Sequence, residues 1–168
     1  RIDRALQDVS KNAKSLNFEA ANQTLADLER QMNELAESGE DATEQMEAFD
    51  RASNKAYTEL ERAAVRLNHS ISESGRLQRE RIKELEQEKA TLDKTVEGKA
   101  RARQIDKELK DLRRQVVDVS DDELSAMIKQ NVQARARIKL MQQEYKSQKE
   151  QGKQQKTLLQ LIKEDLKP

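Results

Sequence analysis

Apolar residues recur along this chain at alternating steps of three and four, the spacing that lines one face of an α-helix. From Phe18 the series runs Ala21, Leu25, Leu28, Met32, Leu35, Gly39, Ala42, Met46, Phe49, Ser53, Ala56, Leu60, Ala63 and Leu67. From Leu124 a second series runs through Met127, Asn131, Ala134, Ile138, Met141, Tyr145, Gln148, Gly152, Gln155, Leu159, Ile162 and Leu166. Strict three-four alternation is a heptad seam and predicts helices that pair as coiled coils. A shorter stripe, Ile2, Leu6, Val9, Ala13 and Leu16, lies one residue out of phase and reads as the start of the same first helix.

Phase also locates the expected breaks. Gly39 falls on a seam position without disturbing the count, so "ESGED" is read as helix, since one interior Gly costs only about 1 kcal/mol relative to Ala. The Ser-rich stretch 68–76 is the weakest helical segment, and the stripe Ile82, Leu85, Leu92, Val96 beyond it is displaced by one residue. A further slip at Gly98 precedes Ile105, Leu109, Leu112, Val116 and Val119. The clearest start is at Ser120, where the hydroxyl suits the cap, Glu123 completes a capping box, and Asp121 and Asp122 favour the positive helix end. The expected layout is a single coiled-coil rod over 1–168. Its first helix covers about 2–74 and runs on towards 97, its middle helix about 99–118, and its last about 121–167. Reversal at Gly75, Gly98 or Ser120 would fold these long helices back as an antiparallel hairpin or a three-helix coil.

Composition sharpens this all-α expectation. The chain is 35% hydrophobic, 2% aromatic and 38% charged, poor material for an ordinary globular core but suited to paired helices. Its only Pro is Pro168, and it has four Gly. Net charge is zero, yet 17–50 holds ten acidic residues against Arg30 alone, while 129–156 holds eight Lys or Arg against Glu144 and Glu150. Complementary flanks of this kind set partner choice in coiled coils, so pairing of the last helix with the first is expected, within one chain or between two.

Candidate chemistry is sparse. His69 is the sole histidine and cysteine is absent, which leaves no thiolate metal site and fits a reducing, cytoplasmic setting. His69 is read as a solvent-facing helix residue. No phosphate-cradling Gly-rich loop, H-E-x-x-H or calcium loop is present, and no catalytic residue, cofactor or metal is expected. No apolar run reaches membrane-spanning length, so insertion is not expected. Nucleic-acid contact would rest on the basic face from Lys129 to Lys156, with Lys129, Arg135, Arg137 and Lys139 as its leading cations, or on "KARARQ", Lys99 to Gln104. Tyr145 is the only aromatic in either stretch and lies on the seam, so nucleic acid is not an expected partner.

The two series, Phe18 to Leu67 and Leu124 to Leu166, resemble the broad class of long coiled-coil proteins that includes myosin-like rods, the arms of structural-maintenance-of-chromosomes ATPases and phage tail tape-measure helices. The resemblance implies helical assembly and carries no activity with it. The expected role is a structural and interaction module, a helical scaffold that oligomerises with itself or with other proteins through coiled-coil contacts and spaces attached domains. The alternative is a lever or spacer arm of a nucleotide-driven machine whose head lies elsewhere. Assembly is expected to rest on the seam residues Leu25, Leu28, Met32, Leu35, Phe49, Leu60, Leu124, Met127, Ile138, Met141, Tyr145, Leu159 and Ile162, with Ser120 and Glu123 as the helix cap.

Overall fold

The computed structural model describes residues 1–38 and 43–165, without the side chains of Ser38, Thr43 and 152–157. The chain is all-α. Its helices are α1 (Ile2–Lys14), α2 (Phe18–Ser38), α3 (Thr43–Ile71), α4 (Glu73–Thr91), α5 (Val96–Gln115) and α6 (Asp121–Asp165). They form two compact units, one of Arg1–Leu60 with Val132–Pro168 and one of Glu61–Asn131.

Among the described residues the helix expected over 2–74 is covered by α1, α2 and α3. The first stop is at Ser15 to Asn17, where Leu16 adopts φ 62°, the left-handed conformation that ends a helix. The Asn17 N–H returns to the Asn12 carbonyl at 2.8 Å, and the Leu16 N–H to that of Ala13 at 3.2 Å. Asn17 then starts α2 by accepting the Ala20 N–H on its side-chain oxygen at 3.2 Å. The one-residue slip between Leu16 and Phe18 was the signal of this turn, and reading through it was the error. The helical reading of Gly39 lies outside the described residues.

In the first unit α6 runs between α2 and α3, and its partners give the directions. Along α6, Lys139, Gln142, Tyr145 and Lys149 meet Tyr57, Asn54, Phe49 and Glu47, so α3 is antiparallel to it. Arg137 and Tyr145 meet Asn22 and Asn33, so α2 is parallel to it. The three-residue link after Lys14 returns α2 along α1, and Lys14 lies 4.0 Å from Glu59 of α3. Four helical segments therefore alternate in direction around one core. Ile2, Leu6, Val9 and Ala13 of α1 are buried there with Phe18, Leu25 and Leu28 of α2, Phe49 and Leu60 of α3, and Ile138, Met141 and Tyr145 of α6.

The second unit is built on α4 and α5, packed through Ile82, Leu85, Ile105, Leu109 and Val116, with Leu92 and Leu112 against them. Each helix opens with a hydroxyl cap three residues before a glycine. Ser72 Oγ accepts the Gly75 N–H and Thr95 Oγ1 accepts the Gly98 N–H, both at 3.1 Å. Neither glycine has room for a side chain: a Cβ would sit 1.9 Å from the His69 carbonyl oxygen at Gly75 and 2.4 Å from that of Asp93 at Gly98. Gly75 and Gly98 thus lie inside the first turn of new helices, whereas phase alone had marked them as points where a long helix turns.

Candidate functional site

Seam residues come together in two places. In the first unit, Leu25, Leu28, Met32, Phe49, Leu60, Ile138, Met141 and Tyr145 are buried inside the chain's own core. At its centre the rings of Phe49 and Tyr145 meet edge to face with centroids 5.7 Å apart. Tyr145 donates its hydroxyl hydrogen bond to Asn33 at 3.1 Å. Burial pushes the Tyr145 hydroxyl up to about 12, with Glu144 and Glu29 adding to the shift. Ser53, fully buried on the seam of α3, accepts a hydrogen bond from Gln142 at 2.9 Å, so a polar pair replaces an apolar contact at that level. Leu124 is buried in the second unit, and Leu35 and Met127 are half-buried. Leu159 and Ile162 are not brought into either core and stand 58% and 51% exposed.

Between α4 and α5 the electrostatics form a ladder. Arg81 bonds Glu108 at 3.0 Å, Lys89 bonds Asp106 at 2.6 Å, and Arg113 bonds Glu86. Arg101 grips Glu88 with two parallel hydrogen bonds at 2.7 and 3.1 Å, the planar match of guanidinium to carboxylate. Arg101 holds the Glu88 carboxyl below its usual range, and Glu88 raises Arg101 in return. These pairs are half-exposed, so they set alignment more than stability.

Three side chains hold the link between α5 and α6, and the sequence had given no sign of them. Arg66 donates to the backbone carbonyls of Arg113 and Val116, capping the end of α5. Ser70, fully buried, accepts the Val117 N–H and donates to the Arg66 carbonyl, both at 2.7 Å. Arg79 reaches the Val119 carbonyl and, at 2.9 Å, the Asp121 carboxylate, whose pKa it lowers. Ser120 Oγ accepts the Glu123 N–H at 3.2 Å at the head of α6.

His69 is half-buried rather than solvent-facing and bonds Gln78 at 2.8 Å, which in turn donates to Gln115 at 2.7 Å. No group of three or more His, Cys, Asp or Glu able to hold a metal occurs among the described residues. A cavity of about 550 Å³ in the first unit has an apolar floor of Ile2, Met32, Leu35 and Ala48 under Arg1, Asp3, Glu34 and Glu44. Among the described residues its polar lining consists of Arg1, Asp3, Gln31, Glu34, Glu44 and Gln45.

No protein family, curated protein or solved structure matches the chain. Function has to be argued from the surfaces themselves. Two of the four α6 cations singled out for nucleic acid are turned to internal use: Arg137 donates to the Asn22 carbonyl at 2.9 Å, and the Lys139 ammonium lies 4.6 Å from the centre of the Tyr57 ring. Among the described residues no helix is long and apolar enough to cross a membrane. Among the described residues a group of exposed apolar side chains stands at the end of α6, where Leu158, Leu159, Leu161 and Ile162 are each more than half exposed.

Proposed function

We propose that this chain is a structural and interaction module, a coiled-coil-like helical scaffold that associates through the end of α6 and spaces whatever is attached to it. The observation that carries the reading is the split in the seam. Up to Tyr145 the α6 stripe packs against its own chain, whereas at Leu159 and Ile162 the same heptad series continues with its apolar side chains exposed. Helices that keep an apolar stripe beyond their own core do so to cover it with another helix. Each such residue stands to gain about 1 kcal/mol from covering its exposed half. The occupant we assign is a second copy of this chain, with other proteins as the alternative.

The test is absolute mass by light scattering over a concentration series. The intact chain is expected to be larger than its monomer mass of 19.4 kDa, and the double variant Leu159→Asp, Ile162→Asp to return to monomer with unchanged melting. Leu28→Asp, placed in the buried core, is expected to lower melting instead. A monomeric intact chain across the whole series would reject self-association.

A further inference from the structure

The outer face of α5 carries a row of five cations that the helix pairing leaves unused. Lys99, Arg103, Lys107, Lys110 and Arg114 follow one another at steps of four, four, three and four. At 100° per residue they fall within an arc of about 80°, one per turn, along about 22 Å of helix. Gly98, Ile105 and Leu109 face the other way, into α4. All five side chains are exposed, and among the described residues none has a hydrogen-bond or ion-pair partner. Four other charges of this helix pair with α4: Arg101 with Glu88, Asp106 with Lys89, Glu108 with Arg81 and Arg113 with Glu86. The pairing with α4 thus sorts the charges of α5, engaging Arg101, Asp106, Glu108 and Arg113 in four ion pairs and leaving a nearly uniform positive ridge, with Asp111 at its margin.

We infer that this ridge binds the phosphate backbone of duplex nucleic acid without reading sequence. A strand presents one phosphate per 3.4 Å of axis, so a 22 Å row of five cations faces about six phosphates. The mixture of two arginines and three lysines on a regular spacing suits such a line of oxygens. Sequence readout is not expected, because α5 offers no aromatic platform and its five unpaired Lys and Arg lie in one narrow row rather than on both flanks of a groove-filling helix. An anionic membrane is the weaker fit. Surface-bound helices insert an apolar face beside their cations, and the apolar face of α5 is already covered by α4. The absence of stacking aromatics, which set nucleic acid aside at the level of sequence, bears on single strands and bases and not on backbone contact.

The experiment uses the full chain and a labelled 25-base-pair DNA of arbitrary sequence, with binding followed by fluorescence anisotropy from 50 to 200 mM salt. Five phosphate contacts give a slope of log affinity on log salt near −4.5, an affinity loss of about 500-fold over that range. Changing all five ridge residues to Gln is expected to abolish binding with melting unchanged. Should that variant fold poorly, Arg103→Gln and Lys107→Gln singly are each expected to reduce the slope by about 0.9. Changing Arg4, Lys11, Arg51, Lys55 and Lys146 to Gln, the same number of exposed cations away from α5, is expected to leave the slope in place. No binding at 50 mM salt, or loss with the second set and not the first, would overturn the assignment. So would tighter ridge-dependent binding to vesicles containing 30% phosphatidylserine, which would make the ridge a membrane contact.

Discussion

Gly75 and Gly98 occupy the same place in two helices, the third position after a hydroxyl cap, and in both the missing side chain lets the preceding carbonyl close over the first turn. The obstruction is backbone in each case, which cannot swing aside as a flexible side chain would. Gly75→Ala is therefore expected to cost about 1 to 3 kcal/mol, as insertion into filled space does. Urea denaturation would show this as a lower midpoint at constant slope, with an unshifted midpoint counting against the close approach. Tyr145 makes a different demand. Because burial holds its hydroxyl at about 12, against about 10 when unfolded, the neutral form is favoured by folding. Its contribution is intact below pH 10 and is lost as pH rises from 10 through 12, by about 2 to 3 kcal/mol. Tyr145→Phe should flatten that alkaline fall relative to the parent while costing about 1 kcal/mol at neutral pH, where only the hydrogen bond to Asn33 is lost. Parallel pH-stability curves for the two proteins would contradict it.

At the scale of elements, the link from α5 to α6 is a backbone segment held by side chains that are distant in sequence. Val116 and Val117 are buried, so their peptide groups have to be satisfied by the protein, and Ser70 takes the Val117 N–H. Ser70→Ala would leave that donor buried without its partner, and a loss of about 1 to 3 kcal/mol is expected. Hydrogen exchange at the Val117 amide is the direct check: it should quicken more than exchange in α1, and equal changes throughout would point to a global effect. Helix starts of this kind differ greatly in how visible they are in sequence. The acidic run behind Ser120 spells out a cap, while Ser72 and Thr95 cap glycine-containing turns that look like weak helix or loop. Arg66, Ser70 and Arg79 act across 40 to 50 residues of chain, and no local spacing announces them.

For the molecule as a whole, the all-α class and most of the buried positions were legible, because the period of 3.6 is a local property and burial follows it. The number of helices was not. Phase was taken to separate a continuing helix from a returning one, and it does not. The seams of α2 and α3 face one core, where Tyr145 touches both Asn33 and Phe49, so each keeps its stripe towards the same partner whichever way the chain runs. The charge asymmetry was the better guide. It anticipated that α6 would be drawn to the acidic N-terminal helices, as in the contact of Lys149 with Glu47 at 3.8 Å, though it could not give the direction of packing.

The first unit is also discontinuous in sequence: Glu61–Asn131 forms the second unit between its two parts. On a ribosome the chain emerges from its N-terminus, so α4 and α5 are complete and paired while α1, α2 and α3 still lack the helix that carries Ile138, Met141 and Tyr145. During that interval Leu25, Leu28 and Phe49 have no partner from α6, and an incomplete apolar face is what chaperones and neighbouring nascent chains bind. Synthesis thus delivers the acidic stretch of α2 and α3 before the basic stretch of α6, so their mutual attraction acts only once α6 has emerged.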